Sequence, residues 1–108
     1  MKKKRVPVLV TTTTATKEDA RKIASQLVEE RLAACVQIVD PITSVYTWQG
    51  NTEEEQETLL LIKSTQDLVT PIAQLLDRIH PYEVPELIAT PIVDGSAAYL
   101  SWLGENLR

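Results

Sequence analysis

The densest group of chemically able side chains is the run His80-Pro81-Tyr82-Glu83-Val84-Pro85-Glu86. It offers an imidazole, a phenol and two carboxylates on a proline-stiffened turn. Imidazole is the commonest protein ligand for copper and zinc, and carboxylates can complete such a site, so His80 and Glu83 are candidate metal ligands. The competing reading of His80 is structural: a histidine at a helix C-terminus, interacting with the last carbonyls and the dipole. Cys35 is the single cysteine and a soft ligand, yet its neighbours Ala33, Ala34 and Val36 suit a buried, inert thiol. Thr11–Thr14, with Thr16 and Lys17, stand where a strand meets a helix N-terminus, and hydroxyls, free amides and a dipole could hold an anion there. β-Propensity and capping account for the same residues without a ligand. Glu53, Glu54, Glu55 and Glu57 could attract cations, but a charge run at a hairpin reads as a solvated tip that discourages edge pairing. No Ser-His-Asp pattern is recognisable and nothing local activates Cys35, so an enzyme using Cys35, His80 or Glu83 ranks behind a binding protein.

Composition narrows the classes further. The chain has 108 residues, enough for one domain. It is 44% hydrophobic and 24% charged, the balance of a globular protein. Eleven Lys and Arg stand against 15 Asp and Glu, for a net charge of −4. Four of the positive charges are Lys2, Lys3, Lys4 and Arg5, so residues 1–5 read as a solvated basic tail and residues 6–108 as one acidic domain. An acidic body without a basic stripe is a poor partner for phosphate backbones, which argues against nucleic acid. A lone cysteine makes no intrachain disulfide, and a lone histidine makes no His-rich metal cage. Gly50, Gly95 and Gly104 are too far apart for a phosphate-binding loop. No apolar run approaches the roughly 20 residues of a membrane helix, and Val6–Val10 is too short for a signal peptide core. The chain reads as cytoplasmic, with no membrane partner.

These residues must be positioned by a small set of elements. Val6–Thr13 is β-branched almost throughout and predicts a first strand. Thr16 with Asp19 forms a capping-box pattern, and Ala20, Ile23, Ala24, Leu27, Val28 and Leu32 recur at helical spacing behind it. Ala34–Val39 and Ile42–Trp48 read as one strand interrupted at Pro41, which marks a bulge, bend or edge. Gln49-Gly50-Asn51 is turn chemistry, and Thr58–Ser64 follows as a third strand, its unalternating Leu59–Ile62 run suiting cover on both faces. Thr65 or Thr70 caps a second helix carrying Leu68, Ile72, Leu75, Leu76 and Ile79, which Pro81 closes at His80. Val84–Pro91 reads as an edge strand and Ala97–Leu107 as a trailing helix. The order βαββαβ predicts an α+β, ferredoxin-like sandwich with an extra C-terminal helix.

Length carries a further inference. The second strand, about 15 residues, extends roughly 50 Å at ~3.3 Å per residue. The first helix, about 16 residues, covers only ~24 Å. The hairpin must overhang its cover, carrying Val45, Tyr46 and Trp48 with it, and leaving such side chains wet costs roughly 1.5–3 kcal/mol each. A projecting ribbon of two strands is marginal alone. Another copy of the chain is expected to cover it, making Val45, Tyr46 and Trp48 interface residues of a homo-oligomer.

Several stretches together resemble the CutA divalent-cation tolerance family: Arg31-Leu32-Ala33-Ala34-Cys35, Ser44-Val45-Tyr46-Thr47-Trp48-Gln49-Gly50, Leu61-Ile62-Lys63-Ser64, His80-Pro81-Tyr82-Glu83-Val84-Pro85-Glu86-Leu87-Ile88 and Tyr99-Leu100-Ser101-Trp102. The resemblance implies a ferredoxin-like protomer in a homotrimer whose long hairpins pair between subunits. It implies a role in divalent metal tolerance without a defining enzymatic activity, and no obligatory cofactor, with copper(II) or another divalent cation as ligand. Carried over by position, His80 is the first candidate metal ligand, joined by Glu83 and Cys35. Ile79 and Thr12 stand where some relatives have a histidine and a cysteine, which removes two ligands and favours weak, less selective binding. Similarity of the fold to trimeric PII-type signalling proteins gives the alternative: a small-molecule sensor with ligands in subunit clefts.

Overall fold

The computed structural model describes residues 5–108. Lys2, Lys3 and Lys4 of the expected basic tail lie outside the described residues. Arg5 is tied to the domain: its guanidinium lies 3.7 Å from Asp67, and it donates to the carbonyls of Gly104 and Arg108.

The chain runs β1 (Pro7–Thr14), α1 (Lys17–Glu29), β2 (Cys35–Trp48), β3 (Asn51–Thr65), a single 3-10 turn (Gln66–Leu68), α2 (Val69–Ile79), β4 (Ile88–Pro91) and α3 (Ala97–Glu105). The strands form one sheet in the order β2-β3-β1-β4, every pair antiparallel. This is the ferredoxin-like arrangement. Alternation along β1 and β3 sends Val8, Val10, Leu60 and Ile62 to the helical side, where they are buried with Ala20, Ile23 and Leu27 of α1 and Ile72, Leu75 and Leu76 of α2.

The ends of α1 are set locally. Thr16 Oγ1 accepts from the Asp19 backbone N–H at 3.1 Å, satisfying one free donor of the first turn. The helix stops at Glu29, earlier than its apolar spacing suggests, because Arg31 turns left-handed at φ 58°. Arg31 N–H then donates to Val28 O and Leu32 N–H to Leu27 O, the paired bonds of a Schellman cap. A non-glycine residue in this conformation is strained. Here the Arg31 guanidinium donates to Glu105 O at 2.9 Å, so the turn also docks α3.

The second helix corrects the capping expectation. Neither Thr65 nor Thr70 is its cap: α2 begins at Val69 after the 3-10 turn, with Leu68 at the cap position and no side-chain cap bond. Pro71 sits in the first turn, where its missing N–H has no partner to lose. Its end is as expected, with His80 as C-cap before Pro81.

The hairpin differs most from expectation. β2 is one 14-residue strand with its register shifted between Val39 and Ile42 around Pro41. The two-residue turn Gln49-Gly50 has positive φ at both positions, as a type I′ hairpin requires. β3 spans 15 residues from Asn51, so Glu53–Glu57 are strand residues paired with Ile42–Tyr46, and not a tip. β4 is shorter than expected, confined to Ile88–Pro91, since Pro85 has no N–H to give a ladder. α3 ends at Glu105, capped by Ser96 accepting from Tyr99 N–H.

The overhang is present. The protomer is 51 Å along its longest axis against 26 and 22 Å across. Val45 is 63% exposed and Trp48 43%. The expected cover on both faces of β3 is not supplied within the protomer: Leu60 and Ile62 are buried under the helices, while Leu59 and Leu61 on the opposite face are half-buried.

Candidate functional site: an acidic groove at the root of the hairpin

Side chains two apart on a strand share a face. Glu53, Glu55 and Glu57 therefore line one side of the ribbon, directly across from Tyr46, Ser44 and Ile42. The segment from Pro81 to Glu86, which links α2 to β4, stands opposite this side. Between them lies a groove of about 890 Å³, whose walls include Thr13, Tyr46, Trp48, the three glutamates, Tyr82, Glu83 and Glu86.

Three hydrogen bonds hold the linking segment in place. His80 Nε2 lies 2.8 Å from Thr13 O, Tyr82 N–H donates to His80 Nδ1 at 3.0 Å, and Tyr82 Oη donates to Glu57 Oε2 at 2.7 Å. Because Nδ1 accepts, the ring hydrogen belongs on Nε2, which donates to the Thr13 carbonyl. Both ring nitrogens of His80 are therefore engaged, and the residue is only 8% exposed. Glu57 is equally buried, at 8%. Desolvation first, then the bond to Glu57, hold the Tyr82 phenol well above its ordinary 10.0. Tyr46 is raised as well, by desolvation and then by the carboxylates of Glu55, Glu57 and Glu53.

The structure brings some of the sequence candidates together and separates others. His80 and Glu83 share the segment beside the groove, but Glu83 is exposed and His80 is turned into its own bonds. Cys35 pairs with Lys63 at the other end of the sheet, four residues along β3 from the Leu59 that faces Thr13, or on the order of 13 Å. Its thiol is half-buried, more open than its small neighbours imply. Among the described residues no three of His, Cys, Asp and Glu converge closely enough to hold one metal ion. Within one protomer, His80, Glu83 and Cys35 do not form a ready-made metal site.

The threonine-rich junction is not an open anion cradle. Thr14 Oγ1 donates to Thr16 O, Thr16 caps α1, and the Thr13 carbonyl is taken by His80. Thr12 is fully buried with its hydroxyl unpaired. Sequence reasoning passed over Glu57 and Tyr82 as partners. The available signal was the hairpin itself: a 14-residue arm leading into a two-residue turn needs an equally long return strand, which places the glutamates in the ladder.

Residues 8–106 match the family model described as CutA1 divalent ion tolerance protein. The chain belongs to the CutA1 family. A divalent-cation tolerance protein CutA from Thermus thermophilus is 50% identical over 98 residues, covering 91% of this chain and 95% of the relative. A chloroplastic CutA protein of Arabidopsis thaliana is 44% identical, and this chain spans 97% of its own length but 58% of that relative. Among solved structures, a Thermus thermophilus Cut A1 superposes with a TM-score of 0.92 at 48% identity, over 94% of this chain and 99% of the other. A CutA of Archaeoglobus fulgidus, titled periplasmic, superposes with a TM-score of 0.91 at 30% identity, over 94% and 99%. CutA1 relatives thus carry names from more than one compartment. Among the described residues of this CutA1 chain, no helix is long and apolar enough to cross a membrane.

Proposed function

We propose that this CutA1 chain works as a cytoplasmic homotrimer in tolerance or response to divalent metal ions, binding them weakly and without catalysis. The observation that carries the reading is the groove: five glutamates, Glu53, Glu55, Glu57, Glu83 and Glu86, line one cleft of a chain whose family is named for divalent ions. Such a cleft concentrates cations through its summed field. Copper(II) is the divalent ion best suited to imidazole with carboxylate. Weakness follows from the state of His80. Before either ring nitrogen can ligate, the imidazole must release Thr13 O or Tyr82 N–H, each bond contributing about 0.5–1.5 kcal/mol.

The trimer is supported by the uncovered ribbon. β2 is an edge strand, so one side of its backbone is open along 14 residues, beside the exposed Val45, Tyr46 and Trp48. A second copy laid on this edge would satisfy the open ladder and dry those side chains. The PII-like alternative would hold its ligands in clefts between subunits, and any such cleft reached by this groove would be disfavoured for nucleotides and other anions by its five carboxylates.

Copper(II) calorimetry on the wild type, His80→Ala and Glu83→Ala tests the site. The expected result is a weak, saturable isotherm that both variants reduce. An isotherm unchanged in both would remove His80 and Glu83 from the proposal.

A further inference from the structure

The structure assigns Asp94-Gly95 as a site of self-modification, where the main chain isomerises to isoaspartate through a cyclic imide. The reaction needs a backbone nitrogen beside the carboxyl carbon of the preceding aspartate, on a chain loose enough to close a small ring. The chain has five aspartates, Asp19, Asp40, Asp67, Asp77 and Asp94. Four of them are held away from this reaction. Asp19 and Asp77 lie in α1 and α2, where the next N–H is bound one turn back, as Ala20 N–H is to Thr16 O at 3.2 Å. Asp40 is followed by Pro41, whose nitrogen has no hydrogen to give up. Asp67 lies in the 3-10 turn, its carboxylate 3.7 Å from the Arg5 guanidinium.

Asp94 differs on each count. It lies between β4 and α3, outside any helix or strand, and both it and Gly95 are exposed. Gly95 N–H donates to Asp94 Oδ1 at 2.8 Å, and among the described residues no backbone carbonyl accepts from it. The nucleophile is already turned toward the carboxyl it attacks. Glycine has no side chain to obstruct the ring, and its backbone reaches conformations closed to other residues. In the first step Gly95 N attacks Cγ of the protonated Asp94 carboxyl. A C–N bond forms, and the amide hydrogen and the carboxyl hydroxyl leave as water. A second water then opens the imide. Attack at Cγ restores aspartate. Attack at the Asp94 backbone carbonyl leaves the chain running through Cβ, one carbon longer, with a free α-carboxylate. The lengthened link meets α3 two residues on, at Ser96, whose hydroxyl accepts from Tyr99 N–H.

The test is tryptic mapping of the folded full chain after several weeks in mildly acidic buffer at physiological temperature. Cleavage after Arg78 releases residues 79–108, in which Asp94 is the only aspartate, so an isomer of that fragment reports this site alone. The expected result is a form of equal mass and shifted retention that grows with time and resists a protease cleaving before aspartate. Fragments bearing the other four aspartates should stay unchanged. An isoaspartate-specific carboxyl methyltransferase, which moves the methyl of S-adenosylmethionine to the new α-carboxylate, should label the aged protein in proportion. Asp94→Glu, which cannot close the five-membered ring, should abolish the isomer, and Gly95→Ala should slow it by about threefold or more. Absence of the isomer from the aged wild type would overturn the proposal. So would its persistence in Asp94→Glu, or equal isomerisation at the other aspartates.

Discussion

Tyr82 donates its phenolic hydrogen to Glu57 Oε2 across 2.7 Å, joining the α2–β4 link to the hairpin 25 residues earlier in the chain. The bond fixes one wall of the acidic groove to the other. It also supplies the side-chain donor that this buried carboxylate has. Tyr82→Phe removes that donor and leaves the carboxylate short of a partner, so stability should fall by about 1–3 kcal/mol at neutral pH. Urea unfolding of the two proteins, compared at constant m-value, measures the difference.

The same phenol makes alkaline stability a readout of the site. The folded-state pKa of Tyr82 is raised above its ordinary 10.0, so the native state holds that proton more tightly than the unfolded chain does. The contribution is fully present below about pH 10 and is lost as pH climbs toward the raised folded value. Unfolding midpoints measured from pH 8 to pH 11 should drop more steeply above pH 10 in the wild type than in Tyr82→Phe. Parallel curves would show that the proton is not held by this bond.

His80 is expected to matter for folding before it matters for ligands. His80→Ala removes the bond to Thr13 O and the acceptor for Tyr82 N–H, at a cost of roughly 2 kcal/mol. Thermal unfolding of the metal-free protein checks this, with a clearly lower midpoint expected. An unchanged midpoint would mean that the imidazole is not structurally engaged.

Thr12 should be replaceable at a gain. Its hydroxyl is buried without a partner while the rest of the side chain packs in the core. Thr12→Val keeps the shape and removes the unpaired group, so stability should rise by about 1 kcal/mol or more. Denaturant midpoints of the two proteins decide it.

Much of the architecture was legible because its signals are local. Thr16 caps the helix it precedes, Gln49-Gly50 makes the turn its composition suggests, and Pro41 marks the register shift. The length mismatch between β2 and α1 correctly anticipated an overhanging ribbon with exposed Val45, Tyr46 and Trp48. The misreadings arise where the deciding contact is distant in sequence. Glu53–Glu57 look like a solvated tip until the opposing arm of the hairpin holds them in the ladder. α1 looks longer than it is because Arg31 adopts a conformation usually left to glycine, alongside a contact with Glu105 that no local pattern reveals. His80 reads equally well as ligand or helix end until Thr13, 67 residues earlier, takes its Nε2 hydrogen. The groove was illegible for the same reason: its walls come from two segments that only the fold brings face to face.

The ribbon supplies the interface prediction. Val45→Glu places a charge at a position 63% exposed in the protomer, where a soluble monomer would tolerate it. If another copy covers the ribbon, the variant should lose assembly while keeping its secondary structure, as seen by light scattering and circular dichroism. Unaltered mass in solution would place the interface elsewhere.

Native mass spectrometry during a copper(II) titration of metal-free protein reads assembly and weak uptake of divalent ions at once. The predicted result is a trimer at every copper concentration, filling gradually to three specific ions only at copper well above the protein concentration. A monomer, or a trimer with no specific uptake at all, would contradict it.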